Sequence, residues 1–371
     1  MKILLLGEYS NLHATLAKGL RLLGHEVTVA SNGDFWKDYP RDIDFSRTNT
    51  KWGGIKLLCK IYRTLPLLKG YDIVQLINPI FLELKPKRIL PIYKYLRKHN
   101  KKTFLLGAGM DYYWVNTCVT QKQLRYSDFN IGNELRDNVE SLTERKDWLG
   151  TDKEKLNRYI AQDSDGIITM LYEYYTCYKP VFPDKTTFIP APIEIHSRYD
   201  DVSSIKNESM NNGKIKIFIG INKTRNSYKG TDIMLAAAQE VVNKYSEKAE
   251  LLVAESVPFE QYTEMMKGAD IILDQLYSYT PAMNALYAMS EGIIVVGGGE
   301  PENYEILNEK ELRPIINVQP TKESVIKELT EIINHPEKIA SLKRQSIQYI
   351  EKHHDYRKVA QSYVDFWEKT L

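Results

Sequence analysis

The sequence has few of the features that mark secreted, metal-binding and membrane-spanning proteins. It contains only three cysteines in 371 residues, Cys59, Cys118 and Cys177, and none belongs to a CxxC pair. Their wide spacing favours reduced thiols over a disulfide framework and gives no metal-site pattern. The apolar run Ile3 to Leu6 is too short for a signal peptide, and no other run approaches the length of a membrane span. We therefore expect a cytoplasmic protein.

The chain also lacks a strong overall charge. Its formal net charge is +2, with 26% charged and 43% hydrophobic residues. Those fractions are typical of a soluble globular protein, and a chain of this length is expected to form two domains. Any preference for a polyanionic partner must come from a local cluster of basic residues.

Two local stretches are basic and contain no acidic residue. Lys51 to Lys69 and Lys85 to Lys102 both combine lysines and arginines with apolar side chains. A basic helix that also carries aromatic residues can lie on an anionic membrane surface, which would make the protein peripheral at the inner face of the membrane. The alternative is a pair of solvated helix faces. No nucleic-acid recognition motif accompanies these stretches, so a nucleic-acid partner is not predicted.

Strands and helices alternate from the start of the chain. The apolar run Lys2 to Leu6 predicts a strand, the leucine periodicity of Leu12 to Leu23 predicts a helix, and His25 to Val29 predicts a second strand. This order is typical of a doubly wound α/β domain. Gly7 stands alone, without the GxGxxG of dinucleotide-binding folds, which argues against a dehydrogenase.

A second α/β domain is predicted after a boundary rich in Ser and Asn. Ser203 to Gly213 has the composition of a linker, and the strand Lys214 to Gly220 follows it. We therefore expect an N-terminal domain over residues 1–200 and a C-terminal domain over 210–355. Residues 133–162 are predicted to be helical, as is the tail from Ser341, in which His353 and His354 are expected to be solvated.

The stretch Asp274 to Glu305 has the strongest functional pattern. Pro281 suits the first turn of a helix that continues over Ala282 to Met289, and Gly292 suits the left-handed residue after it. A short strand, Ile293 to Val296, then leads into three consecutive glycines. A helix N-terminus beside a glycine turn at a strand's carboxyl end suits a diphosphate. The alternative is an ordinary βα unit in which the glycines only turn the chain.

This pattern resembles the nucleotide-sugar half of family 4 glycosyltransferases, which have the GT-B fold. The resemblance lies in Ala288-Met289-Ser290-Glu291-Gly292 and in Gly298-Gly299-Glu300-Pro301-Glu302. It implies two doubly wound, Rossmann-like domains facing across a cleft, with the last helix, about 356–371, packed back on the first domain. The family has two glutamates eight positions apart before this point, and this chain has Tyr279 and Tyr287 there.

A cationic loop extends the resemblance. After the strand that ends at Gly220, the segment Ile221 to Gly230 resembles the family's loop in which an arginine and a lysine neutralise the donor diphosphate. Lys229 matches the lysine, while the arginine position falls on Lys223 or Arg225. A solvated loop is the alternative, but several cations at a strand-to-helix junction suit phosphates.

The resemblance implies the following site residues. Arg225 and Lys229 would assist departure of the nucleotide. After the strand Thr103 to Leu106, where family members often have a histidine, this chain has Asp111, and a carboxylate there would orient an acceptor hydroxyl or act as a base. The alternative for Asp111 is to bind the backbone N–H groups of a turn. Donor-binding candidates, all at strand ends or on the helix, are Gly7, Lys223, Tyr279, Met283, Asn284, Tyr287, Gly298, Gly299 and Glu302.

The implied reaction is sugar transfer from a nucleotide-diphosphate sugar to a hydroxyl of a glycan or lipid-linked glycan. The resemblance implies retention of configuration, no metal, no cofactor, and a role in bacterial surface polysaccharide or glycoconjugate synthesis. Two alternatives stay open. One is a nucleotide-sugar epimerase of the same fold, and the other is a subunit that binds nucleotide without catalysis, because both family glutamates are replaced.

Overall fold

The computed structural model describes residues 1–195, 213–222 and 225–370, apart from the side chain of Phe259. The predicted linker 203–213 therefore lies almost entirely outside the described residues. The chain forms two compact units. The first comprises 1–117, 144–194 and 355–371, and the second comprises 118–143 and 195–354.

The first half of the chain alternates strands and helices. In chain order its elements are β1 (Lys2–Leu6), α1 (Leu12–Leu22), β2 (Glu26–Ser31), β3 (Ile43–Asp44), α2 (Lys51–Thr64), β4 (Ile73–Leu76), α3 (Pro86–His99), β5 (Lys102–Gly107), α4 (Tyr112–Asn116), β6 (Asn130–Ile131), β7 (Glu134–Leu135), α5 (Val139–Trp148), α6 (Asp152–Asp163), β8 (Gly166–Thr169), α7 (Tyr172–Tyr178) and β9 (Thr186–Phe188).

The second half repeats this alternation and ends in helices. Its elements are β10 (Ile215–Ile221), α8 (Asn226–Lys229), α9 (Thr231–Lys244), β11 (Ala249–Glu255), α10 (Phe259–Met266), β12 (Ile271–Leu273), α11 (Met283–Ser290), β13 (Ile294–Gly297), α12 (Pro301–Ile306), β14 (Ile316–Asn317), α13 (Lys322–Asn334), α14 (Ile339–His353) and α15 (Tyr356–Glu368).

Each unit is built on one parallel sheet. The strand order is β3-β2-β1-β4-β5-β8-β9 in the first unit and β11-β10-β12-β13-β14 in the second. Both sheets are doubly wound, because the chain leaves a central strand in one direction and later returns to its other side. The central strands β1, β4, β10 and β12 are apolar and almost wholly buried, as strands covered by helices on both faces must be.

An aspartate just before a strand ties neighbouring strands together in three places. Asp72 accepts from the Lys2 backbone N–H at 2.7 Å, and Asp165 accepts from the Thr103 backbone N–H at 2.7 Å. Asp270 accepts from the backbone N–H of Lys216 at 2.8 Å. The Asp that precedes these apolar strands in the sequence therefore has a structural role, since it binds the exposed N–H at the start of the adjacent strand.

Segment 118–143 differs from the sequence prediction in both its grouping and its conformation. It was expected in the first domain, but it belongs to the second compact unit. It begins in a π-helical turn, Thr117–Gln121, and β6 and β7 form an antiparallel hairpin in which Asn130 pairs with Leu135. The predicted helix over 133–162 is wrong for its first residues, because the helices α5 and α6 begin only at Val139 and Asp152.

The tail forms two helices, of which the last belongs to the first unit. In α15 the buried residues include Val359, Tyr363 and Trp367, and this helix packs on α1. A Cβ on Gly19 of α1 would lie 2.5 Å from the Tyr356 carbonyl oxygen, so only glycine permits this approach.

The prediction that His353 and His354 are solvated is wrong. His354 is buried, and His353 donates through Nε2 to the buried carboxylate of Glu309. Lys352 binds the same Glu309 oxygen at 2.8 Å. These long-range partners hold the pKa of Glu309 below its usual range despite burial, which opposes them.

Candidate functional site

The carboxyl ends of β10 and β12 mark the point in the second sheet where ligands of doubly wound folds bind. These strands are neighbours, but their connections diverge, which leaves a crevice beyond their ends. The loop with Arg225 and Lys229 follows β10, and Asp274 follows β12. The two loops touch, since the Leu276 backbone N–H donates to the Lys229 carbonyl at 3.0 Å.

The end of the cationic loop is tightly packed. Gly230 has a φ of 72°, and a Cβ there would lie 2.7 Å from Leu276 Cβ, so the Lys-Gly pair is needed to bring Lys229 beside β12. The guanidinium carbon of Arg225 lies 5.2 Å from the ring centre of Tyr228. Lys223, the other candidate for the arginine position, lies outside the described residues.

Asp274 and Asn284 join Lys229 in one cluster. Burial raises the pKa of Asp274, and the nearby charge of Lys229 acts in the opposite direction. Asn284 donates to Asp274 Oδ1 at 3.3 Å and accepts from the Tyr262 hydroxyl at 3.0 Å. The start of α11, with Met283 as its first residue, is thereby fixed next to the cationic loop. The helix begins after Pro281, which precedes its first turn instead of lying in it.

The glycine turn after β13 is shaped by its packing against the 278–280 loop. A Cβ on Gly298 would lie 2.4 Å from the Ser278 carbonyl oxygen, and one on Gly299 would lie 2.7 Å from Ile315 Cγ2. The Gly299 backbone N–H donates to Asn317 Oδ1 at 3.0 Å. Close packing within the chain therefore requires both glycines, whether or not a ligand also approaches them.

The two glutamates after these glycines bind residues of segment 118–143. Arg125 forms ion pairs with Glu302 and with Glu300, the latter at 2.6 Å. The Tyr126 hydroxyl donates to Glu300 at 2.6 Å. Glu300 also accepts from Asn317 and Gln319, and these donors hold its pKa below its ordinary value although burial opposes them.

Tyr279 and Tyr287, which the resemblance predicts to replace two glutamates, have different surroundings. Tyr279 is only 1% exposed. Its hydroxyl accepts from the Arg125 backbone N–H at 2.7 Å, and its ring lies 4.9 Å from that of Tyr126. Tyr287 is partly exposed on α11. The position at which Tyr279 was expected to meet a sugar is therefore covered by segment 118–143.

Asp111 and Gly7 lie in the first unit. Asp111 is fully buried, and its Oδ1 accepts from the Trp114 backbone N–H at 2.8 Å, which caps α4. Its Oδ2 accepts from the Tyr178 hydroxyl at 2.8 Å. Burial raises the pKa of Asp111 to about 6. These contacts agree with the alternative of a helix cap, and the catalytic role stays a prediction.

Gly7 is fixed by the backbone of the first unit. It has a φ of 88°, and a Cβ would lie 2.2 Å from Ile77 Cγ2. The Gly7 carbonyl also hydrogen bonds to His13 Nδ1 at 2.7 Å. Packing alone therefore accounts for glycine here, and its proposed role in donor binding stays a prediction.

Sequence reasoning missed the residues of segment 118–143 that reach the cationic loop. Arg136 donates to the carbonyls of Ser227 at 2.6 Å and Tyr228 at 3.0 Å, while the Tyr228 hydroxyl donates to Asp128 at 3.0 Å. About 90 residues separate these partners in the chain. No local pattern could therefore have identified them.

Solved structures share this architecture over the whole chain. HepE from Anabaena, in complex with UDP and glucose, matches with a TM-score of 0.61 at 12% identity, and the match covers 100% of both chains. WaaG, a glycosyltransferase involved in lipopolysaccharide biosynthesis, matches with a TM-score of 0.58 at 13% identity over 98% of this chain and 99% of WaaG. The chain has the GT-B fold.

An enzyme of another reaction class shares the GT-B fold with this chain. UDP-GlcNAc 2-epimerase from Neisseria meningitidis, bound to UDP-GlcNAc, matches with a TM-score of 0.55 at 13% identity, covering 100% of both chains. The sequence itself matches neither a protein-family model nor a curated protein. At these identities the likeness establishes the fold, and the chemistry has to be argued from the residues.

Proposed function

We propose that the protein is a glycosyltransferase that uses a nucleotide-diphosphate sugar. It transfers the sugar, with retention of configuration, to a hydroxyl of a glycan or lipid-linked glycan in bacterial surface polysaccharide or glycoconjugate synthesis. The observation that carries the proposal is the position of Lys229 and Arg225 at the divergence of β10 and β12. The GT-B neighbours, which include complexes with UDP and with UDP-glucose, support the donor class.

In this proposal the chain's own cations neutralise the departing diphosphate. Lys229 and Arg225 supply side-chain charge, and the first turn of α11 at Met283 and Asn284 supplies backbone dipoles. Gly298 and Gly299 follow β13 and Glu302 lies in α12, while Asn284 binds the Asp274 carboxylate, which feels the charge of Lys229. We propose that this arrangement works without a metal ion, so that a chelator leaves the transfer rate unchanged.

The first test is nucleotide binding followed by removal of Lys229. At about 100 times its dissociation constant, the correct nucleoside diphosphate should add about 2.7 kcal/mol of stability in a thermal shift panel. Lys229→Ala should then lower the transfer rate by roughly 10²–10³, the cost of losing one charge-stabilising group. Lys310→Ala, which removes an exposed lysine outside this cluster, is the control. Activity of Lys229→Ala within a few-fold of wild type contradicts the proposal.

A second candidate function is supported by the burial of Tyr279. A residue that is 1% exposed cannot take over the sugar contact of a family glutamate without movement of segment 118–143. A subunit that binds nucleotide without transferring sugar would show this feature, and an epimerase would form product without an acceptor. Incubating the donor with and without a glycan acceptor separates the three functions, because only the transferase requires the acceptor.

Helix α2 supports a peripheral attachment to an anionic membrane. Its inner face buries Gly53, Leu57 and Ile61. A second apolar stripe, at intervals of three and four residues, points to solvent and comprises Trp52 (74% exposed), Ile55 (52%), Cys59 and Tyr62 (48%). At 3.6 residues per turn, Lys51 borders this stripe on one side and Lys56, Lys60 and Arg63 border it on the other. This pattern suits a helix lying in the lipid headgroup layer.

The second basic stretch is less suited to a membrane because acidic residues from other elements pair with several of its cations. Arg97 pairs with Asp163 and Asp165, and Lys101 pairs with Asp72. In α2, by contrast, Lys60 pairs with Asp44, and no ion pair within the described residues involves Lys51, Lys56 or Arg63. None of the helices in the described part of the chain combines the length and apolar character needed to cross a bilayer. We therefore place the proposed membrane contact on α2.

Flotation with phosphatidylglycerol vesicles tests the attachment. Wild type should float at low salt and less at high salt, with about 1 kcal/mol contributed by each basic residue near the surface. Trp52→Glu should abolish flotation, whereas Arg88→Glu on the exposed side of α3 should change it little. Equal loss in both variants would assign binding to net charge and not to α2.

A further inference from the structure

Segment 118–143 lies over the candidate donor site and is held there at two separate places. At one end, the side chains of Arg125 and Tyr126 bind Glu300. The same two residues cover Tyr279. At the other end, the Arg136 guanidinium lies 3.5 Å from the ring centre of Tyr277 and donates to two carbonyls of the cationic loop. The segment therefore contacts both the glycine-turn side and the cationic-loop side of the site.

Asp128 is the acidic residue of segment 118–143 near the cations of this site. Its Oδ2 accepts from the hydroxyl of Tyr228, the residue that precedes Lys229 and whose ring faces the Arg225 guanidinium. Arg136 donates to the Asp128 carbonyl at 3.2 Å and so lies beside it as well. Burial raises the pKa of Asp128, and the hydrogen bond from Tyr228 and the charges of Arg225, Arg136 and Lys229 act in the opposite direction.

Asp128 is thus an intramolecular carboxylate near the two cations assigned to the donor diphosphate. A diphosphate and a carboxylate both seek hydrogen bonds and opposite charge from such groups. Two anions that use the same cations at close range repel each other, and each loses part of its electrostatic stabilisation. Binding of a diphosphate to Arg225 and Lys229 is therefore coupled to the position of Asp128.

We propose that segment 118–143 is an autoinhibitory clasp in which Asp128 occupies the place of the donor diphosphate beside Arg225 and Lys229. The proposal rests on the function proposed above. Nucleoside diphosphate binding displaces Asp128, weakens the contacts of Arg136 with Ser227 and Tyr228, and opens the clasp. Opening also uncovers Tyr279, the position at which the family resemblance places a donor contact.

Calorimetric titration with UDP, ADP and GDP tests the competition. In Asp128→Asn the side chain keeps its size but loses its charge, so the nucleotide that binds wild type should bind roughly 10-fold tighter, the size of one charge-assisted contact. Glu134→Gln removes an exposed carboxylate from the hairpin of the same segment and should leave affinity unchanged. Arg125→Ala, in which the substituted side chain is 54% exposed, should also tighten binding and serves as a second variant if Asp128→Asn does not fold.

Hydrogen exchange tests the opening directly. Peptides covering 122–137 should exchange faster in ligand-free Asp128→Asn than in wild type, and faster in wild type once nucleotide is added. Slower exchange of these peptides with nucleotide, or weaker binding by Asp128→Asn, would overturn the clasp and make the segment part of the binding site. Binding to wild type with no gain in either variant also refutes the clasp. Failure of all nucleotides to bind any of the proteins refutes the proposed function and the competition together.

Discussion

Replacing Asp111 by Asn separates a catalytic carboxylate from a structural one. Asp111 is buried, with one oxygen bound to the Trp114 backbone N–H and the other to the Tyr178 hydroxyl. Asn has the same shape and can still cap α4 through its amide oxygen. The substitution therefore removes the charge and leaves most of the local geometry in place.

The size of the effect follows from the pKa of Asp111, which burial raises from 3.8 to about 6. A rise of roughly 2 units corresponds to about 3 kcal/mol. Because the folded pKa lies above the unfolded one, this contribution to stability is complete below pH 3.8 and is lost as the pH rises through about 6. Asn does not titrate. The free energy of unfolding of Asp111→Asn, relative to that of wild type, should therefore rise by roughly 2–3 kcal/mol between pH 4 and pH 7.

Urea unfolding at several pH values measures this gain, with the exposed Asp184→Asn as the control. As a helix cap, Asp111→Asn should also keep its transfer rate within a few-fold of wild type. A general base would instead lose roughly 10²–10⁴ in rate with donor affinity unchanged. A stability difference that does not vary with pH would refute the argument from burial, and a large rate loss would restore the catalytic role.

Two further predictions concern α11 and the tail. Tyr287→Glu introduces the glutamate that the family resemblance places at this partly buried position on α11, and we expect it to weaken nucleotide affinity by a few kcal/mol, because taking a carboxylate charge out of water costs free energy. Calorimetry beside Tyr287→Phe measures this, and a gain in both affinity and transfer rate would refute a site rebuilt around tyrosine. Glu309→Gln should destabilise the protein by about 2 kcal/mol at pH 7, since it weakens the contacts with Lys352 and His353. The pKa of Glu309 is lowered, so wild type loses this stabilisation as the pH falls below about 4.5; equal destabilisation by the variant in urea at pH 4 and pH 7 would contradict the mechanism.

Much of the fold could be predicted because its determinants are local. β1 and α1 were predicted within a residue of their observed bounds, since an apolar run and a leucine periodicity directly reflect burial. Gly292 has a positive φ angle of 73° and ends a helix as predicted. The sequence alone could not show that Asp72 binds the first strand.

The rest depended on partners that are distant in the chain. Arg125 pairs with Glu300, 175 residues away in the sequence, and Arg97 pairs with Asp165, 68 residues away. A short stretch of sequence therefore cannot show which charges are paired at either site. Asp111 follows a glycine at a strand end, where an Asp can serve as a base or as a cap. Its burial and its contact with Tyr178, 67 residues away, could not be seen in the sequence, and the catalytic role stays a prediction.

The position of α15 has a consequence for how the protein is made. The first unit needs the last 17 residues, because Asp355–Leu371 belongs to it and Gly19 is shaped to receive that helix. The ribosome therefore synthesises all of the second unit before the part of the chain that completes the first. Until then the surface of α1 that packs on α15 is uncovered, and chaperones would have to shield it. A fragment ending at residue 195 would keep that surface open. Expressing the first unit alone requires joining residues 355–371 back to it.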